Sequence, residues 1–365
     1  MPFEEPFQHP EGIEKLLAHI AALSERTGPM RLMEVCGTHT MAIAKAGLKS
    51  LLPKTVRLLS GPGCPVCVTP SGDLDAVFAL SERPHVLLAS YGDLLRVPGS
   101  KRGTSLLRQR ALGAKVAVVY SPMDALALAQ KTPQCEVVFL GVGFETTAPG
   151  TAACILEAAE KKVPNFSVLC LLKRTEPALR ALIASPDFAV DGFLCPGHVA
   201  AILGAEAFRF LPEEYGLPAV VSGFTPGDLV YSISLLVEQC AEKRPALSNT
   251  YTRVVRDAGN PAAKAMMDAV LTPCTSTWRG LGEIAGGGFA IREAYAAYDA
   301  AKKFGFSPAP AADPPGCRCS HVIRGAAAPE DCPLFGKACT PADPVGPCMV
   351  SSEGACAAAW RYRAG

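Results

Sequence analysis

At 365 residues the chain is too long for one hydrophobic core, so two or three domains are expected. Nearly half the residues are apolar and 19% are charged, which excludes a disordered chain. With 35 Lys and Arg against 34 Asp and Glu the net charge is +1, and nothing electrostatic favours a nucleic-acid partner.

The first fifteen residues are acidic and broken by prolines, unlike a signal peptide, and no run reaches about 18 uninterrupted apolar residues. A cytoplasmic protein without membrane contact is expected. In that reducing compartment, 15 cysteines point to metal binding or redox chemistry more than to structural disulfides.

Residues 11–24 carry Ile13, Leu16, Leu17, Ile20 and Leu23 at helical spacing. Continuous apolar runs follow at 31–35, 56–60, 85–90, 115–120, 137–140, 167–172, 188–195 and 219–224, as expected of strands covered on both faces. Helical patterns at 104–112, 123–130, 151–162 and 176–184 alternate with them, the signature of parallel α/β units. The pattern predicts an N-terminal α/β domain within 1–120, a second at 121–240, and a helical region at 241–310 that packs back on them. Its clearest helices are expected at 261–270 and 290–304. The stretch SPAPAADPPG at 307–316 reads as a linker, and 311–365 as a small cysteine-rich region.

That tail holds Cys317, Cys319, Cys332, Cys339, Cys348 and Cys356 among many glycines and prolines, with little material for a core. Such a piece needs a staple. Structural zinc draws on tight Cys-x2-4-Cys knuckles, which these gaps lack. They suit loops around a [4Fe–4S] cluster held by four thiolates, with zinc or free thiols as alternatives. Spacing does not choose four ligands among six.

Further candidates lie where apolar runs end. Cys36 opens a turn into a helical pattern with His39 one turn later, an arrangement that suits a helix-stabilised thiolate, a thiol–base pair or a shared metal, or a packed turn. Cys64 and Cys67 form a Cys-x-x-Cys suited to a redox dithiol or soft-metal ligation, or to half of a zinc knuckle. Glu145 sits in GVGFETTAPG, which is neither a P-loop nor a dinucleotide fingerprint, and anchors a loop or meets a ligand. His198 leads a helix after Cys195-Pro196-Gly197. Asp228 reads as a helix cap. Cys135, Cys154, Cys170, Cys240 and Cys274 read as small core residues.

The stretches MEVCGTHTM (33–41), GPGCPVC (61–67), GFETTAPG (143–150), PGHVAAILG (196–204), CRCSHVIRG (317–325), DCPLFGKAC (331–339) and GPCMVSSEGAC (346–356) are long, unusual and ordered along the chain. The sequence resembles the HypD family of hydrogenase maturation factors over essentially its full length. The resemblance implies two α/β domains facing a cleft and a C-terminal region with a [4Fe–4S] cluster. It implies a scaffold for the Fe(CN)2CO group of [NiFe]-hydrogenase, acting with the small chaperone HypC, the cyanide donor HypE and the hydrogenase large subunit. Carried over by motif, Cys36 is the iron-binding thiolate, Cys64 and Cys67 the redox pair, and His39, Glu145 and His198 cleft residues. Cys317, Cys332, Cys339 and Cys348 become the favoured cluster ligands, with Cys319 and Cys356 as alternates. Met41 stands where many members carry a second histidine. Two rivals from the residues alone are a thiol or iron–sulfur oxidoreductase acting on a small substrate and a zinc-stapled interaction protein.

Overall fold

The computed structural model describes residues 9–362. Eleven strands are present among them: β1 Met30–Glu34, β2 Val56–Ser60, β3 Val86–Ser90, β4 Lys115–Val118, β5 Glu136–Gly141, β6 Phe166–Cys170, β7 Gly192–Pro196, β8 Ala219–Ser222, β9 Leu247–Asn249, β10 Leu271–Trp278 and β11 Gly282–Ile291. They form a five-stranded sheet ordered β2-β1-β7-β8-β9, a four-stranded sheet ordered β4-β3-β5-β6, and the pair β10-β11. Both larger sheets are wholly parallel and β10-β11 is antiparallel. The expected α/β class with two parallel sheets is present.

Sheet membership does not follow the division at residue 120. That boundary falls between β4 and β5, both members of the second sheet. The chain makes β1 and β2, leaves to build the whole second sheet, and returns to lay β7 beside β1. Apolar runs announce buried strands but say nothing about which strand each will pair with. The region 241–310, read as helical, also contains β9, β10 and β11. The helix Pro261–Val270 is there, but the helix expected at 290–304 is the end of β11, a 3-10 segment Glu293–Tyr298 and the short helix Ala300–Phe304. In β10 the burial alternates along Leu271–Trp278, so its polar, β-branched positions face outward and leave no continuous apolar run.

Helices cover the sheets as their sequences dictate. The helix Pro10–Thr27 packs against Pro226–Glu242 over the first sheet, with Ile20, Leu229, Ile233 and Leu236 buried between them and β1. Asp228 closes a capping box with Thr225, as expected of a cap. A second apolar core runs without interruption from Met33 and Leu59 of the first sheet, through Leu88 and Val138 of the second, to Cys319, Cys339 and Cys348 of the tail. The tail is therefore packed into the body.

Strand order then marks the two points where a parallel sheet can open a crevice. In the first sheet the chain steps outward in opposite directions from β1 and β7, and in the second from β3 and β5. The carboxyl ends of such strand pairs open a crevice at the reversal of order. Cys36 follows β1, His198 follows β7, and Glu145 follows β5. Among the described residues no helix is long and apolar enough to cross a membrane.

Candidate functional site

Cys36 is the N-cap of the helix Gly37–Lys45 and is only 7% exposed. The carboxylate of Glu34 folds back over the same turn. Its Oε2 accepts from Cys36 N (3.2 Å), and its Oε1 accepts from Thr40 Oγ1. The tail arrives from the other side, where Glu353 Oε1 accepts from Thr38 Oγ1 at 2.7 Å. Burial, helped by the carboxylates of Glu353 and Glu34, pushes the Cys36 thiol up to about 12, against the backbone N–H groups of His39 and Thr38. Burial and the two carboxyl groups disfavour a bare thiolate, so the sulfur keeps its proton unless a cation takes the proton's place.

Burial likewise raises Glu34 from its ordinary 4.5 to about 7, opposed by Thr40, Ser60, the Cys36 N–H and Lys49. The folded chain thus binds this proton more tightly than the unfolded chain does. The stability Glu34 contributes is fully present below about pH 4.5 and is lost as pH rises through about 7, by about 3 kcal/mol at most. Glu34→Gln is expected to remove that slope. Urea unfolding near pH 5 and pH 8 checks it: the wild-type midpoint should fall further across the interval than the variant's.

Cys64 and Cys67 are joined as a disulfide, with Cα atoms 5.2 Å apart. Cys64 is the N-cap of the one-turn helix Pro65–Val68, and its sulfur accepts from Cys67 N at 3.2 Å. The two cysteine turns lie backbone to backbone: Gly37 N donates to Gly63 O (2.9 Å) and Gly61 N to Glu34 O (2.8 Å). A Cβ on Gly63 would collide with Cys36 N and Cα and with the Val35 carbonyl carbon, so only glycine permits this approach. Cys64, Cys67, Thr40, Glu353 and the tail's Cys348 line one narrow cavity of about 10 Å³, room for a single water at most.

The histidines meet around one ring. Phe224 lies between His198, stacked at 4.0 Å, and His39, at 4.7 Å between centroids. His39 Nε2 is 3.0 Å from Gly223 O. A carbonyl only accepts, so Nε2 carries the proton and Nδ1 is a bare acceptor, with no hydrogen-bond partner among the described residues. Burial pulls His39 down to about 4, which keeps it neutral. Glu145 does not join this group by any contact. Its two oxygens accept from Thr175 N (2.8 Å) and Thr175 Oγ1 (2.7 Å), and this satisfied carboxylate braces the start of the helix Thr175–Ile183.

In the tail, Cys319, Cys339, Cys348 and Cys356 are buried, while Cys317 and Cys332 are half-buried. The Cys319 and Cys348 sulfurs are 2.8 Å apart. Gly346 leaves room for Cys317, whose sulfur would stand 2.7 Å from a Cβ there. Cys339 Sγ accepts from Val345 N at 3.3 Å. The contact with Cys319 and burial push the Cys348 thiol up, and burial with the neighbouring sulfurs does the same to Cys356. Among the described residues no three or more His, Cys, Asp or Glu side chains stand in the arrangement of a metal-binding set.

Sequence reasoning missed Glu34, Glu353, Phe224 and Arg279. The first two stand inside motifs already quoted for their cysteines, and a carboxylate two residues before a buried cysteine was a usable signal. Phe224 and Arg279 carry no local signal, because long-range packing alone gives them their neighbours.

With this geometry in place, the comparisons with known proteins are decisive. The HypD family model, described as "Hydrogenase formation hypA family", matches residues 11–363. The chain belongs to the HypD family. It is 44% identical to the hydrogenase maturation factor HypD of Escherichia coli (strain K12), over 100% of this chain and 98% of that one. It is 44% identical to HypD of Azotobacter vinelandii, and 45% identical to the hydrogenase expression/formation protein HupD of Azotobacter chroococcum mcd 1, each over 99% of this chain and 97% of the relative. The cysteine turns shared by the HypD resemblance are therefore part of a chain related to these proteins from end to end.

Proposed function

We propose that this chain is a cytoplasmic scaffold on which the Fe(CN)2CO group of [NiFe]-hydrogenase is assembled and from which it is passed on. The iron group is cargo, and Cys36 is the residue that holds it. The observation that carries the reading is the convergence of the Cys36 turn, the Cys64/Cys67 turn and the tail on one another. A thiolate is the soft anionic donor that iron with π-acceptor ligands favours. The flanking carboxyl groups of Glu34 and Glu353 favour a cation over a bare thiolate. His39 and His198 belong to the same end of the first sheet. His39 offers an unprotonated Nδ1, and His198 presents its ring through Phe224. Glu145, which follows β5, braces the start of the helix Thr175–Ile183, and its place in the cleft rests on the family resemblance.

A resident [4Fe–4S] cluster would be held by Cys317, Cys332, Cys339 and Cys348, with Cys319 and Cys356 as alternates. The donor set fits in chemistry: six thiols are gathered in the tail, and their mutual repulsion as thiolates calls for a cationic centre. The close Cys319–Cys348 pair must separate if both are to ligate. When bound, such a cluster supplies single electrons. Cys64 and Cys67, adjoining Cys348 in the narrow cavity, would store a pair of them as dithiol. The partners proposed are HypC, which shares the iron, HypE, which donates cyanide, and the hydrogenase large subunit, which receives the product.

The rival reading, an oxidoreductase acting on a small molecule, is disfavoured by the cavity between the thiols, which cannot admit a substrate. A partner protein that brings its own reactive group needs no such cavity.

Iron, zinc and acid-labile sulfide, measured on protein purified without oxygen together with its small partner, test the proposal. About four sulfides with more than four irons per chain are expected, in line with a cubane plus cargo. Zinc without sulfide would return the tail to the zinc-stapled reading, and four irons with no extra one would favour the oxidoreductase.

A further inference from the structure

Arg279 lies in the turn between β10 and β11 and is 4% exposed. Its backbone N donates to Val68 O at 2.8 Å. Nε and Nη2 donate to Thr69 O at 3.1 and 2.9 Å, and Nη1 donates to Ser71 Oγ at 2.9 Å. These acceptors are the end of the one-turn helix that carries Cys67 and the first residue of the next helix, Ser71–Ser81. The same Nη1 also pairs with Asp313, which in turn accepts from Ser320 Oγ. The neighbouring Gly280 O accepts from Arg324 Nη1 at 2.8 Å. Ser320 belongs to the helix Cys319–Ile323, and Arg324 caps it.

A guanidinium this deeply buried is tolerated only when its donors are used. Here they are used to fasten two cysteine-bearing segments to one turn. We propose that Arg279 is a positioning residue for the Cys64/Cys67 pair: it holds the far end of their helix against the tail and so sets how readily the pair closes. The proposal rests on the reading that this pair is redox-active. On reduction the S–S bond breaks and takes up two electrons and two protons, leaving two thiols. In a glutathione buffer two GSH supply them and become GSSG. Re-closing needs Cys67 to return to Cys64, and a helix end that is free to move lowers the effective concentration of one sulfur at the other. Asp313 largely offsets the positive charge, so the rigid fork of the guanidinium is the working feature.

The test equilibrates the full-length chain anaerobically in glutathione buffers and reads the state of Cys64 and Cys67 by alkylation and mass spectrometry. Arg279→Gln should make the pair about tenfold easier to reduce, a potential less negative by about 30 mV. Arg279→Lys should move it the same way, since one ammonium cannot span these acceptors. Asp313→Asn, which leaves the fork on Thr69, should stay within about twofold of wild type. Values within about twofold for both Arg279 variants, while the wild-type pair cycles, would overturn the proposal. So would full recovery in Arg279→Lys combined with a shift in Asp313→Asn, which would make charge the cause. A wild-type pair that never cycles would remove the dithiol reading, and this proposal with it. If Arg279→Gln does not fold, the other two variants decide.

Discussion

Gly63→Ala is expected to lower the unfolding free energy by about 3 kcal/mol and to drive the two cysteine turns apart. The added methyl would overlap Cys36 N and Cα and the Val35 carbonyl carbon, all backbone at the carboxyl end of a central strand. A flexible side chain could swing away, but here the relief must come from moving a whole turn. That movement stretches the bond from Gly37 N to Gly63 O and withdraws Cys36 from the disulfide turn. Chemical denaturation reads the loss. Gly47→Ala is the comparison: its positive φ of 65° strains an alanine, but no atom lies within 4 Å of the new Cβ, so about 1 kcal/mol is expected there. Equal losses at the two positions would mean that the turns are not locked together.

The second large effect concerns function. Cys36→Ala should abolish hydrogenase maturation in a cell dependent on this chain, while sulfide and tail-bound iron in the purified protein stay at wild-type values. Removing one sulfur from the N-cap leaves the Glu34, Thr38 and Glu353 contacts in place, because none of them uses the thiol. The fold should therefore survive with only the small cost of a vacated sulfur, about 1–2 kcal/mol. Cargo retention has no substitute donor as soft nearby: Cys64 and Cys67 are tied to each other, and His39 offers a single nitrogen. Substantial maturation by the variant would move the iron-binding role elsewhere.

Much of this was legible in the amino-acid sequence, and the parts that were not share a cause. Eight of the nine strands in the two parallel sheets are announced by continuous apolar runs, β9 being the exception, and the cysteine turns by the glycines that let them approach. Pairing was not legible, because the insertion of a whole sheet between β2 and β7 leaves no local mark. The β10-β11 hairpin escaped because the outward positions of β10 are Pro273, Thr275 and Thr277 and its half-buried ones include Cys274 and Ser276, which blur an alternation that ends on the buried Trp278. Within the site, Cys36, His39 and His198 are placed where strand order predicts a crevice, whereas Glu145 spends both oxygens on Thr175. Arg279 was invisible because the acceptors that tie it to the cysteine turn, Thr69 and Ser71, lie more than 200 residues away along the chain.

The most direct test of the scaffold is the infrared spectrum of the chain isolated anaerobically with its small partner. Wild type should show cyanide and carbonyl stretching bands of an iron-bound group, and Cys36→Ala, at equal tail iron and sulfide, should show none. The same bands at full strength in Cys36→Ala, or their absence from a wild-type complex active in maturation, would contradict the assignment of Cys36 as the residue that carries the iron.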